Sequence, residues 1–96
     1  MPDVKVLKSS RFEQEVRELL APDQRVGIVA SLEWVLRQRA EFGARVRGTS
    51  LQAWPVFPGD GHGYVAFYQV IDTTVTLTSL VKRPTPLAPH FFDLED

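Results

Sequence analysis

The spacing of apolar positions changes period twice along this chain of 96 residues. Val4, Val6 and Leu7, interleaved with Lys5 and Lys8, predict a short first strand. From Phe12 the period lengthens. Phe12, Val16, Leu19 and Leu20 fall at i, i+4, i+7 and i+8, one apolar stripe opposite Glu13, Arg17 and Glu18, as a helix lying on a core requires. Ser10-Arg11-Phe12-Glu13 fits a capping box, so this helix is expected to start at Ser10. Pro22 ends it and opens the next, with Asp23 favourable at the positive helix end. Val26, Val29, Leu32, Leu36 and Ala40 form the second helical stripe, widened by Ile28 and Val35, and Gly43 stops it. Trp34 and Phe42 lie off that stripe, where an edge of the core is expected.

Beyond Gly43 the period falls to two. Arg45, Arg47, Gly48 and Thr49 make a basic connector, and Leu51 to Val56 predicts a strand. Pro55 in that strand has no N–H to give a ladder, which places it at a sheet edge or a bulge. The glycine-rich turn from Pro58 to Gly63 is not followed by a helix, which argues against a phosphate loop. Gly63 to Lys82 then reads as two strands joined by a tight turn around Asp72 and Thr73. Apolar residues occupy both registers of the first arm, as in a central strand. The second alternates Val75, Leu77, Ser79 and Val81 with Thr74, Thr76, Thr78 and Leu80, which predicts one buried and one open face. Pro84, Pro86 and Pro89 rule out further pairing.

The order strand, helix, helix, strand, strand, strand predicts one α+β domain over residues 1–96. It is expected to be a two-layer sandwich, with a helical hairpin on one face of a mostly antiparallel four-stranded sheet. Residues 84–96 are expected to form a proline-rich acidic tail.

Composition narrows the function classes. The chain has no cysteine, which excludes disulfides and thiolate chemistry and suits a reducing cytoplasm. Apolar runs are too short for a bilayer, and the first residues lack a signal peptide's apolar segment, so a soluble cytoplasmic protein without a membrane partner is expected. Net charge is −1. Residues 1–47 carry nine Lys or Arg against seven Asp or Glu, and residues 48–96 two against five, so the basic charge gathers in the first half. That is a weak balance for gripping many phosphates. The two histidines and scattered acids lack ligand spacing, so neither a metal nor a cofactor is expected.

In element order the chain resembles the RelE/ParE superfamily of bacterial type II toxins. The likeness runs through Val4 to Leu7, Ser9-Ser10-Arg11-Phe12, the paired helices, Gly48-Thr49-Ser50-Leu51, Tyr64-Val65-Ala66-Phe67-Tyr68, Val75 to Val81 and Lys82-Arg83. It implies a growth-inhibiting toxin that cleaves mRNA on the ribosome as a metal-independent endoribonuclease and is neutralised by a cognate antitoxin. Arg83 matches the family's terminal arginine, which faces the scissile phosphate in ribonuclease members, and Lys82 stands where histidine is frequent. Val65 holds the position of the strand arginine in the family's Tyr-Arg-x-x-Tyr pattern, and no tyrosine follows Arg83 closely.

Cleavage by a 2′-hydroxyl needs a base, an acid and cations around the phosphorane. The candidates are Arg83, Lys82 and His90 for catalysis and Arg45 and Arg47 for RNA binding, with His62 less suited between its glycines. Trp54, Phe57 and neighbouring apolar residues offer a groove for the antitoxin. Two alternatives stand beside the ribonuclease: the gyrase-directed branch, which does not need these residues, and a non-catalytic binding module on the same fold.

Overall fold

The computed structural model describes residues 4–58 and 63–83. The elements are β1 (Lys5–Lys8), α1 (Ser10–Leu19), α2 (Pro22–Arg39), a 3-10 turn (Ala40–Phe42), β2 (Ala44–Arg45), β3 (Leu51–Val56), β4 (Tyr64–Ile71) and β5 (Thr74–Lys82). The strands form one sheet of five in the order β1-β5-β4-β3-β2. β1 runs parallel to β5, and every other pair is antiparallel. The α+β class and the paired helices agree with the sequence expectation. The sheet has a fifth strand because Arg45, expected in a connector, pairs with Gln52, and Ala44 beside it with Ala53.

Local rules explain most of this frame. The β4–β5 turn falls on Asp72 and Thr73, with Asp72 at φ 55°, a conformation that aspartate tolerates better than most residues. Pro22 occupies the first turn of α2. Val46 N–H donates to the Leu51 carbonyl, so Leu51, Ala53 and, by alternation, Pro55 turn their backbone groups toward the β2 side. β2 has ended before Pro55, so the missing N–H leaves no ladder bond unmade.

Three expectations are corrected. The N-cap of α1 is Ser9, one residue earlier than the capping box implies: its hydroxyl accepts from Phe12 N–H at 3.0 Å. Ser9 is held there because its N–H donates to Leu77 O and its Oγ to Thr78 O. Second, β5 does not alternate throughout. The β4–β5 register shifts between Phe67 and Tyr68, where Phe67 faces Ser79 and Tyr68 faces Leu77, leaving Thr78 as the extra residue of a bulge. Thr78 Oγ1 donates to Phe67 O, and Glu15 Oε1 accepts from Leu80 N–H, so α1 takes over backbone groups that β1 is too short to reach. Past the bulge Leu80 and Lys82 share the helix side with Val75 and Leu77, while Ser79 and Val81 face away. Third, Val26 is 81% exposed, and Trp34 and Phe42 are exposed as well. The inward direction at that end of α2 belongs to Arg25, whose guanidinium donates to Leu20 O and Arg17 O and caps α1.

The core lies between the helices and one sheet face. Phe12, Val16, Leu20, Leu32 and Leu36 pack on Tyr64, Ala66, Tyr68, Val75, Leu77 and Leu80. Tyr68 is fully buried and donates its hydroxyl to Ala40 O at 2.6 Å, tying β4 to the end of the helical layer. Burial pushes its pKa up to about 12, with Glu41 adding to the rise and the Gly43 N–H opposing it. The unfolded phenol titrates near 10. Below that pH both states are protonated and the stabilisation is fully present; it is lost as pH climbs from about 10 through 12. The expected loss is on the order of 2 to 3 kcal/mol. Urea unfolding at pH 9 and pH 11.5 checks it, and Tyr68→Phe is expected to flatten that part of the dependence.

Candidate functional site

The helices cover one face of the sheet, and the candidate site must be sought on the other face or at its rim. Register assigns Leu7, Thr76, Gln69, Phe67, Val81, Leu51 and Ala53 to the helix-free face. Among the described residues Lys5, paired with Thr74 at one corner, is the cation that the strands present there. The face is therefore mainly apolar and hydroxylic. Val65, the second residue of β4, which the sequence resemblance aligns with the family's strand arginine, has 0% exposure.

Arg83 follows β5 and donates its backbone N–H to Gly63 O at 2.8 Å. The residue is 8% exposed, and its guanidinium carbon lies 5.4 Å from the centroid of the Phe57 ring. Gly63 permits this close approach, because a Cβ there would meet Arg83 Cδ at 3.2 Å and Phe57 at 3.3 Å. At that distance the ring quadrupole attracts the guanidinium. The sequence singled out Arg83 and Phe57 separately, for different roles; the pairing arises because β3 and β5 end at the same edge of the sheet on either side of β4.

Lys82 is exposed and pairs with Tyr64, a residue of the helix-covered face. It thus points away from the face on which alternation through Thr76 and Thr78 would place it. Arg45 pairs with Gln52, which faces Tyr68, also on the helix side. Counted along the ladders, Arg45 and Lys82 are separated by four residues of β4 and by three strand spacings. By ordinary strand dimensions that is roughly 13 Å along and 14 Å across, about 20 Å in all. Arg47 lies in the turn beyond β2, which is closed by Thr49 N–H on Val46 O and by Gly48 at φ 79°. The structure therefore leaves Lys82 on the helix side and sets Arg83 against Phe57 beyond the strand end, and it does not bring Arg45 to them. His90 and His62 lie outside the described residues.

A second feature is a cleft of about 500 Å³ between α2 and the end of β3, lined by Ile28, Leu32, Val35, Trp54, Val56 and Phe57 among others. The groove expected around Trp54 and Phe57 is this one. Its lining is mostly apolar, with Asp23, Gln24 and Ser31 as the polar residues. Among the described residues no group of His, Asp or Glu is placed to hold a metal, and no helix is long and apolar enough to cross a membrane.

No protein-family model matches the sequence, and no curated protein matches it. Solved structures do. The intact E. coli RelBE toxin-antitoxin complex contains a chain 26% identical, with a TM-score of 0.62 over 84% of this chain and 98% of that one. The isolated E. coli RelE toxin is 22% identical, with a TM-score of 0.62 over 94% and 93%. The chromosomal ParDE system of P. aeruginosa contains a chain 11% identical, with a TM-score of 0.61 over 82% and 95%. The chain is thus similar in structure to toxins of the RelE/ParE superfamily, in line with its sequence resemblance.

Proposed function

We propose that this chain is the toxin of a toxin-antitoxin pair, neutralised by a cognate antitoxin, and that it inhibits growth by gripping a macromolecular target without cutting RNA. The observation that carries this reading is the helix-free face: Val65 is fully buried where the family has its strand arginine. A phosphorane in mid-cleavage carries charge that must be met by several cations at once. Here Arg83 is stacked on Phe57, Lys82 turns to the helix side, and Arg45 stands at the other end of the sheet. An apolar, hydroxyl-bearing face suits protein contact better than phosphate contact, and neither the gyrase-directed branch of the superfamily nor a non-catalytic binding module needs the ribonuclease residues. The ribonuclease reading keeps one specific support, the match of Arg83 to the family's terminal arginine.

The antitoxin is expected to lay an amphipathic helix in the α2–β3 cleft, where Trp54 and Phe57 supply aromatic anchors. Co-expression with the adjacent small reading frame, followed by co-purification, tests the pairing. Phe57→Ala is expected to weaken the complex by about 1.5 to 3 kcal/mol, roughly ten- to a hundredfold, as measured by calorimetry. Failure of every neighbouring product to bind the wild type would remove the pair model. Unchanged affinity in the variant would instead remove the cleft as the docking site.

A further inference from the structure

The two helices distribute their apolar side chains differently. α1 has one buried stripe, centred on Phe12 and Val16, and an otherwise polar surface. α2 is apolar on two opposite sides. Its inner side holds Leu32 and Leu36 in the core, yet on the outside Val26 is 81% and Trp34 59% exposed, with Ala30 exposed between them. At about 100° per residue, Asp23, Val26, Ala30, Trp34 and Arg37 fall in one band roughly 80° wide, on the far side from Leu32 and Leu36. A surface helix ordinarily turns charged and polar residues to water along such a band.

The band is also complementary to itself when reversed. Asp23 lies in the first turn of α2 and Arg37 in the last. A second α2 running antiparallel sets Asp23 against Arg37 at both ends and Val26 against Trp34 twice. Ala30 then sits near the two-fold axis, where a small side chain lets the helices approach closely. Parallel pairing would instead set like charges together. Arg37 makes an ion pair with Glu33 of its own helix at 3.6 Å, with its side chain 51% exposed. A surface pair of that kind contributes little and does not hold the arginine back.

We infer that the outer band of α2 is a homodimer interface, in which Val26, Ala30 and Trp34 pack against the same residues of a second copy and Asp23 pairs with Arg37 across the two-fold. One pair of helices is a contact at the small end of specific interfaces, so the dissociation constant is expected at roughly 10 to 100 μM.

Sedimentation equilibrium of the full chain, from about 1 to 500 μM to bracket that range, is the test. The expected result is a mass rising from the monomer's 10.9 kDa toward twice that value. Val26→Glu and Trp34→Ala are each expected to weaken association at least about tenfold, with circular dichroism unchanged, since both residues are exposed. The chain has no cysteine of its own, so Ala30→Cys introduces a single thiol that is expected to form a disulfide-linked dimer on mild oxidation. Gln14→Cys, on the exposed side of α1, is expected to stay monomeric. A monomer mass at every concentration overturns the inference, as does a dimer that neither substitution weakens and Ala30→Cys does not cross-link.

Discussion

Replacing Val65 by arginine, the residue its position holds in the ribonuclease pattern, is expected to cost about 3 to 5 kcal/mol, a large share of the stability of a small domain. Val65, the second residue of β4, has 0% exposure and lies between Pro55 and Val81 on the neighbouring strands. A guanidinium must be solvated or paired to stay charged, and arginine stays charged. Among the described residues no carboxylate rises from the strands on this face to pair with it. Val65→Met separates length from charge: it adds bulk alone and is expected to cost about 1 to 3 kcal/mol. Urea midpoints for the wild type and both variants decide the matter. If the arginine variant proves as stable as the wild type, the face opens readily at Val65 and the argument against a catalytic cation there fails.

Gly43→Ala is expected to be as damaging for a different reason. A Cβ on Gly43 would lie 1.8 Å from the Tyr68 hydroxyl and 2.7 Å from its ring carbon. The ring is fully buried and the hydroxyl is committed to Ala40 O, so Tyr68 cannot retreat without breaking a buried hydrogen bond. Overpacking together with a lost buried bond sums to about 3 to 5 kcal/mol. Adding Tyr68→Phe removes the nearest atom but leaves the ring carbon in place, so the double variant is expected to recover about 1 to 2 kcal/mol of that loss. Thermal unfolding of the two single variants and the double variant measures this coupling. Additive effects would mean that the backbone at Gly43 moves away without cost.

What the sequence showed of the fold follows the range of the forces involved. The β4–β5 hairpin, its turn at Asp72, the start of α2 at Pro22 and the edge position of Pro55 depend on residues a few positions apart, and period and turn chemistry carry them. β2 is two residues long and exists through its pairing with Ala53 and Gln52, which no local pattern announces. The bulge at Thr78 depends on Ser9 and Glu15 arriving from α1 to take up Leu77 O, Thr78 O and Leu80 N–H.

The same long-range contacts decide the site. The bulge moves Lys82 to the helix side, and pairing with Gln52 turns Arg45 to that side too. Meeting Phe57 converts Arg83 from a rim cation into a stacked, largely buried one. Trp54 and Phe57 were legible as a groove because both are aromatic residues at the end of an edge-proximal strand, and α2 supplies the opposite wall.

The central claim, a toxin that acts by contact and not by cutting, is tested most directly by the fate of messages on translating ribosomes supplied with the purified chain and, in parallel, with Arg83→Ala. Full-length messages are expected with both proteins, while expression of the wild type in cells still arrests growth. Cleavage by the wild type that falls one to two orders of magnitude in Arg83→Ala, as loss of a charge-assisted phosphate contact of about 1.5 to 3 kcal/mol requires, would contradict the account and make Arg83 catalytic.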